Sequence, residues 1–247
     1  MIVENELLGY PRLKIYQDEN MFHFSIDSIL LANFASIKTK SNKVLDFCSG
    51  NCPIPLYLTL RTEAHIDAIE IQKEPYELGI NSIKANNLEE RIDLIHGDVK
   101  EATKLFEPNS YDLVTCNPPF FKIDENSNLN KNDYLTIARH EVKLTLDEMV
   151  SVASKMLKDG GFLSITYPPT RLQEVFLAFE KYGINATRLQ MVYPKRGRKA
   201  NHCLIEGRKN KGKNKNLIIL NPLYIYQRND KWTKDILKIY NYGMVSK

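Results

Sequence analysis

Apolar and polar positions change period several times along the chain, and those changes mark out its elements. "KVLDF", "HIDAIEI", "IDLIHGD", "YDLVTCN" and "GGFLSITYP" are short apolar runs of the buried-strand type. Between them lie helical spacings in "IPLYLTLRT", "KEPYELGINSIKANN", "VKEATKLF" and "TLDEMVSVASKML", with "TRLQEVFLAFEKYG" after the last run. Thr145 and Glu148 have the spacing of a capping box. Strands alternating with helices predict an α/β fold, a mostly parallel sheet with helices on both faces. After Gly183 the alternation stops. "HCLIEG" and "NLIILNPLYIY" flank the hydrophilic tip Gly207–Asn216, which predicts an antiparallel edge pair at the C-terminus, joined across that tip.

Before the first βα unit, "LKIYQDENMFHF" reads as a hairpin bending at Asp18–Asn20. "SIDSILLANFASI" follows as a helix, with Ser25 or Asp27 as its cap. Residues 1–36 are too short for an independent domain, so a single domain over 1–247 is expected, with this extension packed over the sheet's carboxyl end.

Composition narrows the class. Hydrophobic content is 43% and charged content 26%, ordinary for a globular protein. No apolar run is long enough to span a membrane, and "MIVENELLGY" has acids where a signal peptide has bases. A cytoplasmic protein is expected. Cys48, Cys52, Cys116 and Cys203 match no zinc spacing and read as small apolar fillers in a reducing compartment, with no metal implied. The net charge is only +4, but Arg188 to Lys215 is dense in Lys and Arg and holds one acid, Glu206. Lys195, Arg196, Arg198, Lys199, Lys209, Lys211 and Lys213 are therefore candidates for contacting a polyanion.

Ligands of open α/β sheets sit beyond the carboxyl ends of the strands. Asp46, Glu70, Asp98 and Asn117 fall there on four successive strands. Glu70 is placed to accept both ribose hydroxyls of a nucleoside cofactor, and Asp98 to accept from an adenine amine. The dinucleotide glycine fingerprint is missing, since Cys48, Gly50 and Pro53 stand at its positions. A cofactor without phosphates needs less of that cradle.

Over roughly residues 41 to 170 these features resemble the class I S-adenosylmethionine-dependent methyltransferases. The D-x-G-x-G loop of that family appears as Asp46-Phe47-Cys48-Ser49-Gly50, with Cys48 where glycine is usual. Asn117-Pro118-Pro119-Phe120 after the fourth strand is the family's mark for methylating a planar nitrogen. The resemblance implies a Rossmann-like fold and S-adenosyl-L-methionine as cofactor. Asp46, Cys48, Ser49, Gly50, Glu70, Ile71, Asp98, Val99 and Asn117 would line its site. The chemistry agrees. An adenine amine has its lone pair delocalised into the ring, and the carbonyls of Asn117 and Pro118 can accept its two hydrogens and turn the lone pair towards the methyl. Pro118 and Pro119 hold the loop, and Phe120 and Phe121 give an extruded base a flat face.

Four substrates share such a loop: adenine N6 in DNA, adenine N6 in RNA, guanine N2 in ribosomal RNA and the glutamine amide of release factors. "FHFSIDSILLANFA", "ARHE", "GGFLSITYPPTRLQEV", "ANHCLIEGRKNKG" and "NPLYIY" together resemble the tRNA1(Val) (adenine-37-N6)-methyltransferases. That resemblance implies N6 methylation of adenine 37 in tRNA, with no obligate protein partner. It places Ile26 and Asp27 over the cofactor's methionine end, and Arg139 and His140 near RNA phosphate or the base. Cys48 and Cys52 depart from the family's glycines. Ribosomal guanine-N2 or adenine-N6 methylation is the alternative, with DNA adenine and protein glutamine methylation further off. A non-catalytic RNA-binding module would have no reason to retain Asn117-Pro118-Pro119-Phe120.

Overall fold

A computed structural model describes residues 1–7, 10–18, 25–37, 43–118, 144–209 and 216–241. The order is β1 (Ile2–Leu7), β2 (Tyr10–Asp18), α1 (Ile26–Phe34), β3 (Lys43–Phe47), α2 (Pro53–Leu58), β4 (His65–Glu70), α3 (Lys73–Ala85) and β5 (Ile92–His96). It continues with α4 (Ala102–Leu105), β6 (Tyr111–Cys116), α5 (Leu146–Met156), β7 (Leu157–Tyr167), α6 (Leu172–Lys181), β8 (Ile184–Tyr193) and β9 (His202–Lys209). The two-residue strands β10 (Ile218–Ile219) and β11 (Leu223–Tyr224) and helix α7 (Lys234–Tyr240) complete it. Among the described residues no helix is long and apolar enough to cross a membrane.

The large sheet has the order β10-β8-β9-β7-β6-β3-β4-β5, with β11 also on β8. Its centre is parallel because each strand returns through a helix, as the alternating pattern requires. β9 is the exception, antiparallel to both β7 and β8. One apolar layer lies between the sheet and α1, α2, α3 and α7, the other between the sheet and α4, α5 and α6. The Thr145–Glu148 capping box is present at the start of α5.

One expectation needs correction. The antiparallel pair is β8 with β9, joined through residues 194–201 and not across the basic tip. The run after that tip forms only β10 and β11, both parallel to β8. Asn221-Pro222 interrupts the apolar stretch, and proline cannot donate to a ladder. The expected N-terminal bend at Asp18–Asn20 and the arm after it fall, beyond Asp18, outside the described residues. β2, the arm before the bend, pairs backwards with β1, Ile2 opposite Asp18 and Leu7 opposite Tyr10. Leu7 and Ile15 bury their side chains completely, which sets this register.

The hairpin lies on α3. Lys14 N donates to Asn86 Oδ1 at 2.8 Å, Tyr16 N donates to Ser82 Oγ at 2.9 Å, and Asn51 Nδ2 donates to the Tyr16 carbonyl at 2.7 Å. α1 covers a face of the sheet and reaches its carboxyl edge only with its first turn. Its far end is fastened by Glu206, which accepts from Ser36 N at 2.7 Å and Ser36 Oγ at 2.8 Å. The same buried carboxylate accepts from Ser164 Oγ at 2.7 Å and pairs with Arg188 Nε at 2.9 Å.

Candidate active site at the carboxyl edge of the sheet

The loop after β3 turns sharply. Cys48, Gly50 and Cys52 have φ of 55°, 54° and 70°, all in the left-handed region. Only Gly50 adopts it at no steric cost, and a Cβ built there meets nothing within 4 Å. Open space above Gly50 is where a ligand could approach the backbone. Gly79 serves the other side of the loop, since a Cβ there would stand 2.6 Å from Leu94 Cδ2 and 3.3 Å from Cys52 Sγ. α3 can press against the loop only because Gly79 has no side chain.

Glu70 ends β4 and is buried. Gly50 N donates to its Oε2 and Gln72 N to its Oε1, both at 2.8 Å. Burial pushes its carboxyl up from the usual range, and the Gln72, Gly50 and Ile71 N–H groups pull it back. Gly50 N engages one oxygen and Gln72 N the other, and the carboxylate's lone pairs are not all taken. The carboxylate is thus fixed beside Gly50 with acceptor capacity for a vicinal diol.

Asp46 is fully buried, and there Thr115 Oγ1 donates to its Oδ1 at 2.6 Å and Ser49 Oγ donates to its Oδ2. Burial, partly opposed by those hydroxyls, pushes its pKa up to about 7. Its hydrogen bonds tie the loop after β3 to β6. Ser49 is buried with it, while Cys48 remains partly accessible. Asp98 caps the short 3-10 helix Val99–Glu101, its Oδ1 accepting from Lys100 N at 2.9 Å. It stays partly exposed, Val99 is buried, and Ile71 is half-buried at the end of β4.

Asn117 follows β6. Its Nδ2 donates to Ser28 Oγ at 3.2 Å. Ser28 is in the first turn of α1, next to Asp27, whose Oδ1 lies 3.5 Å from His202 Nε2 at the start of β9. Ser25 stands at the N-cap, yet its hydroxyl donates to Asp27 Oδ2 at 2.8 Å and makes no capping bond. Asp27, Ser28, Asn117 and His202 therefore meet at one point of the edge, with Ile26 half-buried beside them. Ser28 and His202 were not singled out from the sequence. Ser28 is 89 residues from Asn117, and no local pattern announces that contact.

Pro118 is buried, whereas Pro119, Phe120, Phe121, Arg139 and His140 lie outside the described residues. The basic candidates divide. Lys195, Arg196, Arg198 and Lys199 are on the turn between β8 and β9, at the carboxyl edge. Lys209 is at the opposite edge, paired with Ile184, and its Nζ donates to the Leu157 carbonyl and Asn109 Oδ1, both at 2.8 Å. The structure does not bring it to the site. Lys211 and Lys213 lie outside the described residues.

The strand order and the loop after β3 define a Rossmann-like class I methyltransferase fold. Within it, the family model of the methyltransferase small domain matches residues 12–181, and the chain belongs to that family. It is 29% identical over 190 residues to the tRNA1(Val) (adenine(37)-N6)-methyltransferase of Flavobacterium psychrophilum, covering 74% of this chain and 79% of that one. The protein of the same name from Dyadobacter fermentans is 25% identical over 241 residues, covering 96% and 97%. Among solved structures, a predicted O-methyltransferase from Agrobacterium tumefaciens superposes with a TM-score of 0.69 at 19% identity, over 87% of this chain and 95% of its own. Geranyl diphosphate C-methyltransferase from Streptomyces coelicolor gives a TM-score of 0.55 at 9% identity, over 74% and 77%. Both structures support the fold.

Proposed function

We propose that this methyltransferase uses S-adenosyl-L-methionine to methylate the N6 amine of adenine in tRNA, with adenine 37 of tRNA1(Val) as the target. The observation that carries this reading is the Asn117–Ser28 hydrogen bond at 3.2 Å. With its amide nitrogen engaged, Asn117 presents its side-chain carbonyl as the acceptor an exocyclic amine needs. The names of the relatives supply the RNA and the nucleotide.

The residues present fit the cofactor. Glu70 has the acceptor capacity for its ribose diol, and the space over Gly50 admits it against backbone. Bound there, it supplies a methyl group activated by a sulfonium. The chain's task is then positioning. Asn117 Oδ1 and the Pro118 carbonyl would accept hydrogen bonds from the two amine N–H groups, whose hydrogens stay on the nitrogen while its lone pair is localised for transfer. Ser28 holds the Asn117 amide in that orientation, and the Asp27–His202 pair braces the first turn of α1. The extra proton leaves after transfer, so no carboxylate base is required.

The test is transfer from labelled S-adenosylmethionine to unmodified bulk tRNA, read by nucleoside mass spectrometry. N6-methyladenosine in a single valine tRNA is the expected product. N2-methylguanosine would move the target base, and no RNA product with cofactor still bound would overturn the tRNA reading.

A further inference from the structure

The carboxyl edge carries a second feature, beside the β8–β9 turn. β11 lies parallel to β8 with Leu223 opposite Val192 and Tyr224 opposite Tyr193. Val192 and Leu223 are buried against α1 and α7, so the alternation of strand side chains turns both tyrosines to the other side, where they are half-buried. Their ring centroids are 5.4 Å apart, tilted by 34°. The guanidinium of Arg196 covers Tyr224, 5.4 Å from the ring centroid, and the Arg196 side chain is exposed.

The backbone beneath this layer is held firmly. Ile225 N donates to the Tyr193 carbonyl and Tyr226 N to the Pro194 carbonyl, both at 2.9 Å, and Asn201 N closes the turn on the Val192 carbonyl at 3.1 Å. Lys195 pairs with Asp230, tying the turn to the segment after β11. The turn itself, Pro194 to Asn201, has four cations and no acid.

We propose that Tyr193, Tyr224 and Arg196 form a stacking platform for an unpaired nucleotide flanking the methylated base. This rests on the RNA reading given above. Three observations select the occupant. An aromatic pair capped by a guanidinium presents a flat cationic face, which suits a base and its adjoining phosphate. A duplex hides its base faces, so the nucleotide must be unpaired. The platform also stands on the same carboxyl edge as Asn117, because β8 and β6 run in the same direction: β6 is parallel to β7, and β9 is antiparallel to both β7 and β8. A base extruded to Asn117 leaves its neighbour unstacked, and this layer replaces the lost stacking.

The experiment measures methylation of a synthetic anticodon stem-loop RNA by Tyr224→Leu, Tyr224→Phe and Arg196→Ala. Tyr224→Leu should raise KM for the RNA about tenfold, the scale of one lost base stack. Its kcat at saturating RNA and its KM for S-adenosylmethionine should hold. Tyr224→Phe, which keeps the aromatic face, should restore KM. Arg196→Ala, at an exposed side chain remote from the core, should raise KM without lowering Tm. Wild-type KM in both Tyr224→Leu and Arg196→Ala would overturn the platform while leaving RNA methylation standing. So would a rise in KM for Tyr224→Leu that merely tracks a lower Tm, with Arg196→Ala unchanged. A wild-type enzyme that methylates no RNA would instead remove the function on which the platform depends.

Discussion

Asn117 and Ser28 are 89 residues apart in the chain and joined by one hydrogen bond of 3.2 Å. The bond couples the loop after β6 to the first turn of α1, so the residue that would grip the amine is oriented by an element outside the βα core. Replacing Asn117 by Ala should lower kcat by at least about a hundredfold, the scale of losing an aimed polar contact in a closed site. Cofactor affinity, read by calorimetry, should stay near wild type. Ser28→Ala should cost about fivefold in kcat, since a typical net hydrogen bond contributes about 1 kcal/mol. A Ser28→Ala enzyme with wild-type kcat would show that Asn117 needs no such brace.

Glu70 gives a separate prediction on the cofactor side. Its two oxygens are fixed by Gly50 N and Gln72 N, each at 2.8 Å. Glu70→Gln keeps the size but loses the charge and turns one acceptor into a donor. Hydrogen bonds to charged groups contribute about 1.5–3 kcal/mol, so Kd for S-adenosylhomocysteine should rise by about tenfold or more. Equal affinity in the variant would remove Glu70 from the cofactor site.

How far the sequence could be read depends on whether a feature is local. The βα units were legible because each is set by a nearby period, and the Thr145–Glu148 capping box because its partners are three residues apart. Asp46, Glu70, Asp98 and Asn117 were legible as a row because parallel strands align their ends. Which way each side chain faces was not. The Asp46 carboxyl accepts from Ser49 and Thr115, and Thr115 comes from another strand. The C-terminal antiparallel pair was misassigned for the same reason, since it depends on which strand pairs with which, and β9 takes β8 on one side and β7 on the other.

The buried Asp46 makes stability depend on pH. Burial raises its carboxyl to about 7, well above its ordinary range. The native state therefore holds this proton more tightly than the unfolded chain does. The resulting stabilisation is complete below the ordinary carboxylate range and is lost as pH rises through about 7. Urea unfolding at a series of pH values should show wild-type stability falling across that range. Asp46→Asn, which cannot ionise, should show a shallower fall, with Glu70, raised in the same direction, carrying part of what remains. Identical slopes for the two proteins would mean that Asp46 is already ionised in the native state.

Arg188 tests the fastening of α1. Its Nε pairs with the buried Glu206 at 2.9 Å, and its guanidinium lies 4.4 Å from the centroid of the Phe34 ring. Arg188→Met keeps much of the apolar stem but leaves the carboxylate with only hydroxyl and amide donors. Removing one partner of a buried pair costs about 3–5 kcal/mol, and the partial exposure of Arg188 favours the lower end. The urea midpoint should fall accordingly, and an unchanged midpoint would show that Ser36 and Ser164 satisfy Glu206 by themselves.

The two edges of the sheet separate the cations by role. Arg198 and Lys199 are exposed on the turn at the carboxyl edge, while Lys209 spends its ammonium on the Leu157 carbonyl and Asn109 at the other. Binding to an anticodon stem-loop RNA should weaken with salt, and each phosphate contact removed should reduce the slope of log K against log salt by about 1. Arg198→Ala combined with Lys199→Ala should therefore flatten it by about two such steps without lowering Tm. Lys209→Ala should leave the slope alone and lower Tm, because two acceptors lose their donor. The reverse result, a flattened slope from Lys209 and none from the turn, would put the RNA on the amino edge and separate it from Asn117.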